Sequence, residues 1–240
     1  MLFNVDKCKV MNVGRTNKSE QYDMGGVLIA ECDEEKDLGV TFDKSFKVGK
    51  QCAKAAKKAN VILGMIKRTF TCRNKKIMLK LYISLVRPHL DYCIQVWRPH
   101  YRKDIQLLEN VQRRVTKCVK ECGNKEYKER LRVLNLTEFE VRMKRADFLE
   151  VFKIMKGLEG LDSNLFFSLS HTITDSRTRG HPFKLYKKRV DLDWGKYVFS
   201  NRIIDEWNKL PEKVVSAKDV LSFKIELDKY LRSTEGINEH

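Results

Sequence analysis

One segment, from Val48 to Phe70, constrains the fold of this chain more than any other, because it reads as a long amphipathic helix. At the helical period Val48, Cys52, Ala55, Ala59, Ile62, Leu63, Ile66 and Phe70 fall in one stripe, and Lys50, Lys54, Lys57 and Arg68 fall opposite it. The apolar stripe needs a second apolar surface to cover it, which predicts a helical bundle. The cationic face has two readings: a solvated outer face, or a surface that lies along a polyanion.

Charge favours the second reading. The chain holds 48 Lys+Arg against 32 Asp+Glu, a net charge of +16, which is enough to attract phosphate backbones over a Debye length or more. A membrane surface would attract it too, but no stretch approaches the roughly 20 apolar residues that span a bilayer. Met1 to Gly14 also lacks the apolar core of a signal peptide. The expectation is therefore an intracellular protein, nuclear or cytoplasmic, with no membrane partner. Seven cysteines without paired spacing fit free or buried thiols better than a disulfide framework. Cys118 and Cys122 could share a helix face, yet no second ligand pair lies at zinc-site spacing, so they read as small core residues.

The chain divides by pattern. Phe3 to Asp43 alternates, with a turn at Gly25-Gly26 and a closing Leu38-Gly39-Val40-Thr41-Phe42, and predicts a short three-stranded antiparallel sheet. Three strands need something to pack on. From Val48 to Gly157 the periodicity is helical throughout. One helix is expected over Lys75 to Arg87, with Ile77, Met78, Leu81, Leu85 and Val86 inward, followed by a short one from Pro88 through Trp97. Another starts at Asp104, with Ile105, Leu108, Val111, Val115 and Val119 inward and Gln106, Arg113 and Lys117 outward. Thr137 and Glu140 form a capping box before a helix that carries Phe139, Met143, Ala146, Leu149 and Phe152 and stops at Gly157. Beyond it lies a less regular basic region, with Arg177, Arg179, Lys184, Lys187, Lys188 and Arg189, then a pattern through Tyr197, Phe199, Ile203, Ile204 and Trp207 and a last helix over Ser222 to Leu231. The fold class expected is α+β, mainly α, in three parts: 1–44, a helical bundle over 45–160, and 161–240.

Several segments, in order, carry a family resemblance: Phe3-Asn4-Val5-Asp6-Lys7-Cys8, Glu35-Lys36-Asp37-Leu38-Gly39-Val40, Leu81 to Tyr92, and Ser176-Arg177-Thr178-Arg179-Gly180-His181. With Phe199-Ser200-Asn201-Arg202 and Trp207-Asn208-Lys209-Leu210-Pro211, they make nearly the whole chain resemble the C-terminal part of a LINE-type, jockey-like non-LTR retrotransposon reverse transcriptase. The resemblance implies that 1–44 is a palm remnant with a primer-gripping hairpin, and that the following bundle is a thumb. It also implies that the fingers and most of the palm lie upstream, and that the partner is RNA, DNA or an RNA:DNA hybrid. Polymerases of this family hold two magnesium ions on adjacent aspartates and an earlier one, because in-line attack needs both the attacking and the leaving oxygen clamped.

This chain has no adjacent aspartates; Asp191 and Asp193 come nearest and read as a solvated loop. No cofactor is therefore expected in this chain, nor any catalytic residue, and the chain alone is expected to be inactive. Lys7 aligns by resemblance with a lysine near the incoming nucleotide's phosphates, but without the aspartates it reads as an exposed charge on a strand. The expected nucleic-acid contacts are Lys50, Lys54, Lys57, Arg68, Arg113 and Lys117, with Arg177, Arg179, Lys187 and Lys188 as a second, looser patch. Trp97 and Trp207 could stack on bases, though at helical spacing they read as core. Two alternatives stay open: the non-catalytic half of a longer active polymerase, or a non-enzymatic element relic that binds another protein.

Overall fold

A computed structural model describes residues 4–14, 20–173 and 180–234, and is mainly helical with a few short strands. The class is α+β, mainly α. Two compact units make up the chain, one of Met1–Cys93 and Trp97–Tyr127, the other of Ile94–Val96 and Lys128–His240. The expected bundle over 45–160 is thus divided, since the helix Phe139–Met155 finds its packing partners in the second unit.

In the first unit the strands of the described residues form three separate two-stranded ladders instead of one antiparallel sheet. They are β1 (Lys9–Val10) with β4 (Ala30–Glu31), β2 (Asp23–Met24) with β3 (Val27–Leu28), and β5 (Glu34–Asp37) with β6 (Val40–Asp43). The first ladder is parallel, because β4 follows the β2–β3 hairpin and returns in the sense of β1. The third is the longest, and Leu38 and Gly39 make its two-residue turn with φ of 45° and 86°. Both positive angles match a primed turn, whose twist suits the flanking strands. The Tyr92 hydroxyl donates to the Leu38 carbonyl at 2.8 Å, and the ring edge would stand 3.1 Å from any Cβ at position 39, so glycine answers both the angle and the space.

Helix α1 (Gly49–Thr69) follows the hairpin and buries Cys52, Ala55, Ala59, Leu63 and Ile66 of the predicted stripe, together with Ala56, while Val48 and Ile62 are half-buried and Phe70 is exposed. Next come α2 (Lys75–Leu81), capped by the Asn74 side chain, and a π-helical turn at Tyr82–Val86 that continues it. This turn corrects the expected inward set. Met78, Tyr82, Val86 and Leu90 are buried, whereas Leu85 is exposed. A strict four-residue spacing drifts around an α-helix, and the wider π turn brings it back into line. Helices α3 (Pro88–Asp91) and α4 (Ile94–Trp97) are separated by Cys93 in the left-handed region at φ 50°. Then comes α5 (Arg102–Cys118), which buries Leu108, Val111 and Val115 as expected.

In the second unit α6 (Tyr127–Leu134) leads into α7 (Phe139–Met155). The helix starts one residue later than a Thr137 cap predicts: Glu138 is the N-cap and makes no side-chain cap bond. The other end ends as predicted. Gly157 adopts φ 66°, its N–H bonds the Ile154 carbonyl and that of Leu158 the Lys153 carbonyl, a Schellman pair. Among the described residues five single-turn helices follow, α8 (Ser170–Ile173), α9 (Asp193–Lys196), α10 (Phe199–Arg202), α11 (Ile204–Trp207) and α12 (Glu212–Val215), and then α13 (Val220–Thr234). Phe148, Val151, Phe152, Ile203, Trp207, Phe223 and Leu227 build the core, where the Phe152 and Phe223 rings stack at 4.2 Å.

Candidate nucleic-acid interface

Helices α1 and α5 run parallel. Gly49, at the start of α1, faces the carboxylate of Asp104 in the first turn of α5, and Asn60 farther on accepts a hydrogen bond from Arg114 at 3.0 Å. A carboxylate beside a helix start complements its dipole, a role no acidic residue of α1 fills. The Gln51 side-chain carbonyl accepts the Thr41 N–H at 3.0 Å and ties the same end to β6. Burial, and after it the charge of Asp104, pushes the Cys52 thiol up to about 12, so this cysteine is an inert core residue.

The outward surface of the pair is one-signed. Lys50, Lys54, Lys57, Lys58, Lys67 and Arg68 are exposed on α1, which contains no Asp or Glu. On α5 Arg102, Lys103, Arg113, Arg114 and Lys117 are exposed, and its two acids, Asp104 and Glu109, are buried. Sequence periodicity finds this face only in part, because Asp104 and Glu109 count against it until their burial is known.

The predicted contacts separate into engaged and open ones. Lys50 pairs with Glu34 of β5 at 2.9 Å, and Lys54 bonds the same carboxylate and the Thr41 hydroxyl at 3.2 Å. The two ammonium groups, Lys54 first, hold the Glu34 carboxyl below its ordinary range. Lys57, Arg68 and Lys117 are exposed. Arg113 lays its guanidinium over the Tyr127 ring at 4.2 Å. That ring belongs to a buried network that sequence reasoning missed. The Tyr82 hydroxyl donates to Gln112 at 2.6 Å, Gln112 donates to Glu109 at 3.2 Å and to the Tyr127 hydroxyl at 3.0 Å, and the Tyr127 hydroxyl donates to Glu109. Burial, then the bond to Glu109, push the Tyr127 phenol up.

The structure adds Lys58, Lys67, Arg73, Arg114 and Lys120 to the cationic set. Arg73 reaches the Lys67 carbonyl at 3.4 Å, and the Lys120 N–H bonds the Arg73 carbonyl at 2.9 Å, so the loops after α1 and α5 meet at one end of the pair. Val61 and Met65, 62% and 46% exposed, interrupt the cations with an apolar island.

The second patch is not assembled in the same way. Lys187 pairs with Asp205, Lys188 is exposed, and Arg177 and Arg179 lie outside the described residues. Lys7 is exposed and sits on a 3-10 turn, Val5–Lys7, not on a strand. Asp191 and Asp193 each face a neighbouring cation, Arg189 at 3.9 Å and Lys196 at 3.6 Å. Among the described residues no group of three or more His, Cys, Asp or Glu is placed to hold a metal ion. Cys118 donates to the Arg114 carbonyl and Cys122 is buried. Trp97 and Trp207 are core residues, 1% exposed, with their indole N–H groups donated to the carbonyls of Tyr92 and Phe183. No helix of the described residues is long and apolar enough to cross a membrane.

The C-terminal motifs have a structural use in the second unit. The Asn208 amide both accepts from the Leu185 N–H at 2.8 Å and donates to its carbonyl at 2.9 Å, standing in for a strand partner. His181, buried, lies 3.3 Å from the Trp207 carbonyl through Nε2. Arg202 forks onto Asp147 with two bonds of 2.9 Å and also donates to the carbonyls of Gln95 and Tyr197. Compared with protein-family models, with curated proteins and with solved structures, the chain matches none.

Proposed function

We propose that this chain is the non-catalytic, nucleic-acid-binding C-terminal part of a non-LTR retrotransposon reverse transcriptase, with α1 and α5 lying along the phosphates of RNA, DNA or an RNA:DNA hybrid. The observation that carries the binding is the helix pair itself, whose exposed charges are all cationic while its two carboxylates are buried. The family reading rests on the ordered sequence segments and is supported by a Leu38-Gly39 hairpin followed directly by a basic helix. Contacts of this kind give affinity and register, with little choice of sequence.

Binding of a labelled RNA:DNA hybrid, followed by anisotropy as salt is raised, tests the proposal. About six neutralised phosphates cost on the order of a thousandfold in affinity between roughly 50 and 200 mM salt. An affinity that stays flat over that range refutes it. Lys57→Glu with Lys117→Glu should weaken binding at unchanged helix content. Primer extension by the chain should be blank, since it lacks the aspartate pair. A second reading, a protein-binding relic, is favoured by one observation, the exposed Val61 and Met65 between Lys58 and Arg68. A double mutant at those two positions that loses a protein partner and keeps the hybrid would support it.

A further inference from the structure

We propose that the phosphate-gripping part of the surface is a clamp at the shared C-terminal end of α1 and α5, formed by Lys67, Arg73, Arg114, Lys117 and Lys120 and positioned by Asn60. This rests on the nucleic-acid reading above and locates it. Three observations place the clamp there. Asn60 and Lys67 are seven residues apart and share a helix face, and Arg114 and Lys117 are three apart on α5, so the hydrogen bond from Arg114 to Asn60 at 3.0 Å sets these four side chains along one seam. The backbone bond from Lys120 to Arg73 at 2.9 Å and the bond from Arg73 to the Lys67 carbonyl at 3.4 Å bring the remaining cations to the end of that seam. Glu121, the acid in this stretch, accepts the Lys75 N–H at 3.3 Å and pairs with none of these five cations among the described residues.

The opposite end is built differently. There Glu34 already occupies Lys50 and Lys54, at the place where a phosphate would sit. A strand binding along α1 must displace that carboxylate, whereas the C-terminal end demands no such exchange. Arg114 is the anchor because its guanidinium, held through one Nη by an uncharged partner, keeps its other N–H donors fixed in direction for a phosphate. Beside the clamp lies an open cleft of about 500 Å³ lined by Asn74, Lys75, Lys76, Leu79, Lys80 and Glu121, which continues the cationic surface along α2. The ligand is the phosphodiester backbone of a nucleic-acid strand, read without regard to sequence.

The test uses the full chain and a short labelled RNA:DNA hybrid at low salt, with circular dichroism on every variant. Arg114→Ala should weaken binding about tenfold on any sequence and lower the salt slope by about one. Arg114→Lys keeps the charge and loses the fork, so it should keep the slope and still lose affinity. Asn60→Ala removes no charge, yet it should weaken binding several-fold. Glu34→Gln should tighten binding, because it releases Lys50 and Lys54. If Asn60→Ala and Arg114→Lys bind as the parent does while Lys57→Glu weakens binding, the clamp is wrong and the nucleic-acid face stands. If the parent chain fails to bind the hybrid at low salt, the face itself is wrong.

Discussion

Asp147 is fully buried in a helix whose inward residues are apolar but for it and Arg142, and what permits this is Arg202, fifty-five positions away. The guanidinium meets both carboxylate oxygens, and its remaining donors reach two carbonyls, so the pair enters the core with its hydrogen bonds filled. Removing one partner strands the other. Asp147→Ala should cost about 3–5 kcal/mol, read from urea unfolding, and Asp147→Leu with Arg202→Met should recover most of it. His181 makes a second prediction. Burial, the largest effect, holds its imidazole below the ordinary value, and its Nδ1 is buried without a hydrogen-bond partner among the described residues. The unfolded imidazole takes its proton near pH 6.5, the folded one only at lower pH. The stability it contributes is complete above the unfolded value and is lost as pH falls through the lowered folded value. The urea midpoint should therefore drop between about pH 7 and about pH 5, and His181→Gln should flatten that dependence. Neither residue was legible as a core polar group in the sequence, because each is explained by a partner distant along the chain.

At the scale of elements, α1, α5 and the stop at Gly157 were legible, since apolar period and glycine chemistry act locally. The strands were legible only in part: the Gly25-Gly26 turn and the strand through Val40-Thr41-Phe42 form, but two-residue ladders leave too little alternation to fix register or sense, and the parallel β1–β4 pair depends on where the intervening hairpin returns the chain. The π turn was hidden for another reason: Leu81 and Leu85 fit an α-helical stripe as well as Tyr82 and Val86 fit the actual one. The β5–β6 turn offers a sharp check. Gly39→Ala meets both a φ of 86° and the Tyr92 ring, and should cost about 1–3 kcal/mol in thermal or urea unfolding. In a Tyr92→Ala background the steric part disappears and the cost should shrink to the backbone part alone. Equal costs in both backgrounds would show that the ring does not press on the turn.

At the scale of the whole molecule, the excess of positive charge was plain from composition, but its arrangement was not. Lys50, Lys54 and Lys57 look equivalent along the helix; the structure gives two of them to Glu34 and leaves Lys57 exposed. Arg113 was expected on the track and instead covers Tyr127, while its neighbour Arg114 faces α1. Such sorting is decided by tertiary neighbours. The parallel course of α1 and α5 also governs how the first unit comes together. Antiparallel neighbours can zip from a short loop, but two parallel helices join only after the chain between them has travelled back the full length of the first. The β5–β6 hairpin and the start of α1, linked by Thr41 and Gln51 across ten residues, carry no such delay. Pulsed hydrogen exchange during refolding should find the amides of β5 and β6 and the first turns of α1 protected before those of α5, and simultaneous protection would mean that the return path is already organised in the unfolded chain.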